Sequence, residues 1–242
     1  MTRARRRAFV LALLVLLAAV TAWLVVGREP APPPPRPAGE RPPLLLLTSL
    51  PLLFGEDFSV ESSGSPALKA LETRYRIIPI SVTDAAELNK GRLLLMAQPP
   101  AQRPEDLVAL DQWVRRGGRV LLLADPALDW PSKRPLGDPL RPPPMFTDTG
   151  LLAHWGLRLD APDQRGPAER SAGGYRVATL SPGVLGGGCD IGRGGFVARC
   201  RIGNGRATII ADADFLDVPQ LGAAARHNLD ALLFELARIE GP

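Results

Sequence analysis

Three aspartates that follow strongly apolar runs are the residues best suited to chemistry. Asp125 comes directly after Val120–Ala124, and Asp212 and Asp214 come directly after Thr208–Ala211. Carboxylate oxygens are the ligands that Mg²⁺ and Ca²⁺ prefer, so a metal-assisted hydrolase would use these three side chains if they converge. Aspartate after a strand more commonly ends a turn or caps the next segment. We adopt the structural interpretation and keep the three aspartates as a candidate ligand edge, with no metal ligand assigned.

Nucleophilic catalysis is poorly supported. An amidotransferase needs a cysteine on a sharp strand-to-helix turn with a histidine close in space. The tightest turn of that kind, in the segment VLLLADPALDW, carries Asp125. His227 is placed in a helix beside Asn228, and His154 adjoins Trp155, so both histidines are more typical of packing or surface residues. No G-x-S-x-G motif occurs. We therefore predict no catalytic residue.

Glycine-rich segments and two polar residues offer further candidates. Neither Gly186–Gly188 nor Gly192–Gly195 is followed by the Lys-Ser/Thr pair of a phosphate loop, so a hairpin loop fits them better. Asp84 and Gln98 follow two other predicted strands. Ligands bind outside the carboxyl ends of the strands in an open α/β sheet, and this places both residues at the candidate edge. No cofactor is predicted.

The two cysteines, Cys189 and Cys200, are eleven positions apart. An even number of cysteines in an exported protein suggests a disulfide. Gly192, Gly194 and Gly195 lie between them and allow the chain to turn back. The alternative is a pair of small unpaired hydrophobic residues. A metal site is disfavoured, because neither histidine is near the cysteines in sequence.

The first 29 residues predict a cytoplasmic arginine cluster and a membrane anchor. Four arginines precede the nineteen uncharged, mostly apolar residues 8–26. A helix of that length extends about 28 Å, close to the thickness of the hydrocarbon layer. Because basic residues stay in the cytoplasm, the remainder is predicted to be periplasmic and the anchor to cross the inner membrane once. A leader cleaved after Ala22 is the alternative, and Trp23 at the end of the apolar run favours the anchor.

The charge distribution argues against nucleic acid as a partner. The net charge of +4 is already present in residues 1–29, which contain five arginines and one glutamate. The other 213 residues balance at 24 basic and 24 acidic side chains. Nucleic-acid binding needs a concentrated basic face. The excess positive charge instead lies beside the predicted anchor and orients it in the membrane.

The rest of the chain divides into a spacer and one domain. The proline-rich residues 30–43 predict a stiff polyproline II linker, and residues 44–242 are long enough for one domain with a substantial core. Its short apolar runs do not alternate with polar residues, so they predict strands buried on both faces. These strands are Leu44–Leu47, Tyr75–Ile80, Leu93–Ala97, Val120–Ala124 and Thr208–Ala211. Helices are predicted from Pro66 to Thr73, Pro104 to Arg116 and Gly222 to Ile239.

This alternation predicts a flavodoxin-like doubly wound α/β fold with a mostly parallel sheet. Residues 126–147 contain seven prolines and are expected to form a loop or lid. Residues 171–205 predict a C-terminal β-hairpin insertion, with strands Tyr175–Leu180 and Phe196–Ile202. Asn204-Gly205 then supplies a tight turn into the last strand.

Several segments resemble the exported domains of gliding-motility-type ABC transporter auxiliary proteins. They are LLLMAQPP at 93–100, LVALDQWVRRGGRVLLLADP at 107–126, TGLLAHWGLRL at 149–159 and GNGRATIIADADFLD at 203–217. The same segments are similar to the class I glutamine amidotransferase-like superfamily, whose catalytic cysteine is absent here. The resemblance covers roughly residues 44–240. It implies a flavodoxin-like fold without established chemistry and association with an ABC-type export system.

The sequence therefore predicts a membrane-anchored, periplasmic, non-catalytic α/β domain that binds a protein or another ligand of the cell envelope. Its expected partners are the inner membrane, through residues 8–26, and a membrane or envelope protein. A role as an accessory component of an ABC-type export system comes from the resemblance alone. A metal-assisted hydrolase that uses Asp125, Asp212 and Asp214 is the alternative.

Overall fold

The computed structural model describes residues 29–54 and 64–241. The strands are β1 (Pro43–Thr48), β2 (Arg76–Pro79), β3 (Leu93–Ala97), β4 (Arg119–Leu123), β5 (Leu157–Asp160), β6 (Pro167–Ala172), β7 (Tyr175–Leu180), β8 (Val184–Gly187), β9 (Asp190–Ile191), β10 (Val197–Ile202) and β11 (Gly205–Ile210). The helices are α1 (Pro66–Glu72), α2 (Ala85–Leu88), α3 (Pro104–Arg115), α4 (Leu151–His154), α5 (Val218–Leu221) and α6 (Asn228–Glu240). Short 3₁₀ helices cover Ala38–Glu40, Arg193–Gly195, Asp214–Leu216 and Gly222–Ala225.

Five parallel strands form the centre of the main sheet, in the order β2-β1-β3-β4-β11. This is the strand order of flavodoxin-like sheets, so the predicted mostly parallel α/β architecture is confirmed. Two further strands, β10 and β9, extend the sheet beyond β11 and are antiparallel to their neighbours. Two small antiparallel sheets, β5 with β8 and β6 with β7, come from the insertion between β4 and β10.

The central strands are mostly apolar because both faces of the sheet are covered. Leu44 and Leu46 point into one core together with α1 and α6, whereas Leu45 and Leu47 point into the other with α3. All four leucines are at most 1% exposed. A strand covered on both sides has no polar face, and this explains why the runs lack alternation.

Local signals place the helices that cover the sheet. Ser65 caps α1 by accepting a hydrogen bond from the backbone N–H of Leu68, and Pro66 occupies the first helical position, as predicted.

The last helix begins at Asn228 and not at the predicted Gly222. Gly222 has a φ of +59°, and residues 222–225 form a separate 3₁₀ turn. The start of the long helix was therefore predicted six residues too early.

The turn before β11 also differs from the prediction by one residue. Gly205 is already paired with Ile202, so the two-residue turn is Gly203-Asn204. Gly203 has the positive φ, +57°. A side chain at Gly203 would also lie within 2.8 Å of the backbone oxygen of Arg115. Glycine is needed at that position for both its conformation and the close approach.

The described part of the proline-rich segment packs on the domain. The backbone N–H of Arg36 donates to the carbonyl oxygen of Thr73 at 2.9 Å, and its guanidinium pairs with Glu240 at 3.0 Å. Tyr75 lies beside that pair and donates its hydroxyl to Glu240. Residues around Arg36 are therefore held against the end of α6.

The predicted anchor, residues 8–26, lies outside the described residues. Among the helices that the structure describes, none is sufficiently long and apolar to span a bilayer.

Candidate functional site

Strands β4 and β11 bring the three predicted aspartates together at the carboxyl edge of the sheet. The strands pair in parallel, with Leu123 opposite Ile210, so the residues that follow them leave the sheet at the same level. Asp125, Asp212 and Asp214 each supply a carboxylate oxygen, and these atoms lie within 4.8 Å of one another. None of the three residues is more than 1% exposed. We refer to these three residues as the aspartate triad.

Asp125 holds the two strand ends together through backbone hydrogen bonds. Its Oδ1 accepts from the N–H of Ala127 at 2.8 Å, which fixes the turn after β4. Its Oδ2 accepts from the N–H groups of Ala213 at 2.9 Å and Asp214 at 3.4 Å, in the turn after β11. Three donors on one carboxylate favour its ionised form. The side chain therefore joins two turns that are far apart in sequence.

Asp212 and Asp214 each have one satisfied oxygen and one without a partner. Asp212 Oδ1 accepts from the N–H of Phe215 at 2.9 Å, and Asp214 Oδ2 accepts from the N–H of Asp129 at 2.8 Å. Asp212 Oδ2 and Asp214 Oδ1 are buried without a hydrogen-bond partner among the described residues, as is the hydroxyl of Thr179. Unsatisfied buried oxygens are rare, so a proton or a cation is expected at this position.

A second layer of polar residues closes the triad. Asp129 follows β4, and its Oδ2 accepts a hydrogen bond of 2.5 Å from the hydroxyl of Ser181. The same carboxylate pairs with Arg165 at 3.5 Å. Ser181 has a φ of +45°, which is uncommon for a residue other than glycine. Neither residue was predicted from its sequence pattern, because Asp129 lies in the proline-rich loop and Ser181-Pro182-Gly183 is typical of an ordinary turn.

Burial raises the pKa of all three triad carboxyls. The pKa of Asp125 rises to about 6, because loss of solvation outweighs its hydrogen bonds from Ala213 and Ala127. Burial and the negative charge of Asp125 raise the pKa of Asp214 to about 8. The same two causes raise the pKa of Asp212 well above its ordinary value. Thr179 is near enough to oppose that rise, although its hydroxyl forms no hydrogen bond of normal geometry.

The triad is a closed structural cluster that retains protons near neutral pH. A solute cannot reach carboxylates whose residues are at most 1% exposed. General acid–base or nucleophilic work requires contact with the substrate. The geometry is compatible with proton sharing or with a small cation that becomes buried during folding.

Gln98 positions the loop above the triad. Its amide oxygen accepts from the N–H of Asp125 at 3.0 Å, and its amide nitrogen donates to the carbonyl oxygens of Asp125 and Pro143, both at 3.2 Å. The side chain is fully buried and joins the end of β4 to residues 126–147. Asp84 lies elsewhere and caps α2 by accepting from the N–H of Glu87. Both residues have structural partners.

The two histidines and Asn228 all contact other residues of the domain. His227 precedes α6 and stacks on the ring of Tyr175, with the ring centres 6.0 Å apart. Asn228 is fully buried and bonds to both backbone groups of Ala178 and to the carbonyl oxygen of Phe215. His154 is on the surface, 3.4 Å from a carboxylate oxygen of Asp111.

Cys189 and Cys200 form the predicted disulfide, with Cα atoms 4.9 Å apart. Cys200 lies in β10, and Cys189 immediately precedes β9, so the bond ties the edge strand to the main sheet. Gly187, in the neighbouring glycine-rich run, lies in β8. A side chain there would approach the carbonyl oxygen of Gly156 to 2.1 Å. Gly187 therefore allows β8 to pack closely against β5.

Three solved structures are distantly similar to this chain. An exo-β-1,4-mannosidase from Opitutaceae bacterium strain TAV5 is 14% identical over 82% of this chain and 36% of its own, with a TM-score of 0.47. A cold-adapted β-galactosidase from Rahnella sp. R3 is 15% identical over 84% and 32%, with a TM-score of 0.43. A cytoplasmic protein from Salmonella typhimurium is 10% identical over 81% and 98%, with a TM-score of 0.47. This chain thus spans about a third of the length of the two glycosidases.

The family comparison is more direct. No curated protein is similar to the chain in sequence. The model of a family described as an ABC-type uncharacterized transport system matches residues 41–162, which is half of the chain and includes the strands β1 to β5 and Asp125. The chain therefore belongs to this family of auxiliary proteins of an ABC-type transport system.

Proposed function

We propose that the chain is a non-catalytic accessory component of an ABC-type transport system, anchored in the inner membrane with residues 44–242 in the periplasm. Membership of the auxiliary family supports the association with a transporter. The arginines before residues 8–26 support the orientation, because basic residues remain in the cytoplasm. The disulfide agrees with an oxidising compartment. The domain then acts by binding a transporter subunit or an envelope ligand.

The closed aspartate triad is the observation that carries the non-catalytic role. The carboxyl edge of a doubly wound sheet is where such folds bind substrates. Here the acidic residues at that edge are buried, and Asp125 uses both oxygens to hold backbone N–H groups. The edge therefore offers no exposed carboxylate of the triad for acid–base catalysis.

Two measurements on the full chain test this proposal. Alkaline phosphatase fused after Gly241 is expected to be active, because that enzyme needs the periplasm to form its disulfides. Glutamate in place of Arg3, Arg5, Arg6 and Arg7 is the matched control and should reduce the activity. Crosslinking in membranes, followed by purification, should recover an ABC ATPase or permease subunit. An inactive fusion would contradict the topology, and recovery of neither subunit would contradict the association.

A buried divalent cation is the second candidate, favoured by the unpartnered oxygens of Asp212 and Asp214. Ca²⁺ binds oxygens at about 2.3–2.6 Å, so opposite ligands are separated by about 5 Å. The triad oxygens lie within 4.8 Å of one another, which matches that size. Bound calcium would raise the melting temperature at pH 8, and Asp214→Asn would remove the increase. The same melting temperature in calcium and in a chelator would exclude this candidate.

A further inference from the structure

A cavity of about 260 Å³ lies at the opposite edge of the sheet from the aspartate triad, between β10, β11 and the end of α6. Four arginines line it: Arg199, Arg201, Arg206 and Arg238. Thr208 and the single acidic residue Asp190 complete its polar lining. We call it the arginine cavity. It has room for a phosphate group and several waters, because a water takes up about 30 Å³ in the liquid.

The arginines are brought together by strand register. Arg201 lies directly opposite Arg206 in the antiparallel β10–β11 pair, and like charges in that position destabilise a sheet. Within the described residues, neither of them forms an ion pair, and the same holds for Arg238. Arg199 is held by the fully buried Glu235, so its charge is already compensated.

Arg119 adds a further cation next to the cavity. One guanidinium nitrogen of Arg206 and one of Arg119 lie 3.4 Å and 3.5 Å from the position that a β-carbon on Gly241 would occupy. A cation near the end of a helix is stabilised by the helix dipole, and this accounts for Arg238 in the last turn of α6. It does not account for Arg201 opposite Arg206, because both belong to strands.

We propose that the arginine cavity binds the phosphate group of an anionic phospholipid headgroup. Guanidinium groups recognise phosphate through paired hydrogen bonds, and several of them around one concave site concentrate anions there. A bound phosphate removes the repulsion between Arg201 and Arg206. Asp190 reduces the attraction, but the unpaired arginines outnumber it.

The position of the cavity identifies a lipid as the source of the phosphate, and this step rests on the proposed membrane anchor. The amino ends of the parallel strands, where the cavity lies, include the start of β1 at Pro43. The preceding segment is held at the same edge by the ion pair of Arg36 with Glu240. Few residues separate Arg36 from Val26, the end of the predicted anchor. Along the chain, this edge is therefore the part of the domain that follows the predicted anchor most closely.

The test is a thermal unfolding titration of the full chain in a nonionic detergent at constant ionic strength. The probes are soluble short-chain phosphatidylglycerol, phosphatidylcholine of the same chain length, and inorganic phosphate. Saturating phosphatidylglycerol is expected to raise Tm by about 5 °C, because a ligand that binds only the folded state stabilises it. Phosphatidylcholine should have little effect, since its headgroup carries no net charge.

Variants locate the binding. Arg201→Gln with Arg206→Gln should abolish the increase, and it should raise Tm at low salt without lipid, because the two opposed charges are gone. Arg193→Gln with Arg226→Gln changes the net charge equally at two exposed arginines outside the cavity and should keep the full increase. If both double variants lose the increase in Tm to the same extent, the proposal is wrong.

The remaining outcomes are also decisive. No increase with phosphatidylglycerol in the wild-type chain would overturn the site. Inorganic phosphate that acts at an equal or lower concentration than phosphatidylglycerol would overturn the assignment to lipid. Failure of the proposed function has a separate signature, because a phosphatase fusion or a crosslinking experiment with the wild-type chain does not depend on the cavity.

Discussion

Asp125 accepts a hydrogen bond of 2.9 Å from the backbone N–H of Ala213, a residue 88 positions later in the chain. The bond joins the end of β4 to the end of β11, and the adjacent N–H of Asp214 reaches the same oxygen. An aspartate that looked like a catalytic candidate is thus a connector between two strand ends. The bond also gives Asp125 and Asp214 different expected responses to the same substitution.

Asp125→Asn is expected to destabilise the domain, whereas Asp214→Asn is not. An asparagine at 125 must place its NH₂ group where either Ala127 or Ala213 now donates, and a buried donor facing a donor costs about 1–3 kcal/mol. An asparagine at 214 can accept from Asp129 with its oxygen and has its NH₂ on the side that now lacks a partner. Urea unfolding at pH 7.5 measures both changes.

Equal destabilisation by the two substitutions would contradict this account. Asp163→Asn is a matched control for the change of charge alone, because Asp163 lies on the surface. Surface substitutions normally change the free energy of unfolding by less than about 0.5 kcal/mol.

Stability is expected to fall as the pH rises from 6 to 8. The ordinary pKa of an aspartate is 3.8, and the pKa of Asp214 in the folded chain is about 8. Between those values the folded chain holds a proton that the unfolded chain has lost, so raising the pH favours unfolding. One retained proton corresponds to about 1.4 kcal/mol per pH unit. The contribution of Asp214 to the decrease should end above about pH 8, where its carboxyl is ionised in both states.

Asp214→Asn tests the origin of that pH dependence. It removes the titrating group, so the free energy of unfolding should change less with pH between 6 and 8 than in the wild-type chain. Asp125, with a pKa of about 6, contributes mainly below this interval. An unchanged slope in the variant would show that Asp214 does not hold the proton.

The sheet could be predicted because burial on both faces leaves a strong pattern. Runs such as Leu93–Ala97 have no polar residue, and the strand was predicted with its observed bounds. The mostly parallel arrangement of the sheet also followed, since alternating helices and strands restrict the topology. The strand β6 was missed because it carries polar residues and is mostly exposed. Its signal is the Gly173-Gly174 turn, with φ values of +61° and +87°.

The candidate site could be predicted only in part. Asp125, Asp212 and Asp214 were found because each follows an apolar strand, and parallel neighbours end at one edge. Asp129 and Ser181 reach the same place through loops, and sequence patterns do not specify loop paths. Whether a carboxylate faces solvent or backbone N–H groups depends on those loops, so the sequence left the triad's role open.

Reduction of the disulfide is expected to lower the free energy of unfolding. A bridge between residues eleven positions apart restricts the unfolded chain by about 3 kcal/mol in the chain-entropy model. Urea unfolding with and without dithiothreitol measures the difference. The double variant Cys189→Ala with Cys200→Ala should be insensitive to dithiothreitol. The prediction is wrong if dithiothreitol fully reduces the wild-type chain without changing its free energy of unfolding.

Asn228→Ala is expected to destabilise the domain far more than His227→Gln, although both residues lie at the start of α6. Asn228 satisfies the N–H and the carbonyl oxygen of Ala178 and the carbonyl oxygen of Phe215, all within the packed core. Alanine leaves three groups without partners, and we expect a loss of about 2–4 kcal/mol. His227 is half-buried, stacks on Tyr175 and lies 3.6 Å from a carboxylate oxygen of Asp230, so glutamine should cost about 1 kcal/mol or less.

Crosslinking to transporter subunits distinguishes these effects on stability from a catalytic role for His227. His227→Gln should keep normal crosslinking to transporter subunits, because its melting temperature changes little. Asn228→Ala should lose crosslinking only at temperatures where the domain unfolds. Loss of function by His227→Gln at an unchanged melting temperature would instead show that the ring acts on a ligand, since packing alone cannot separate function from stability.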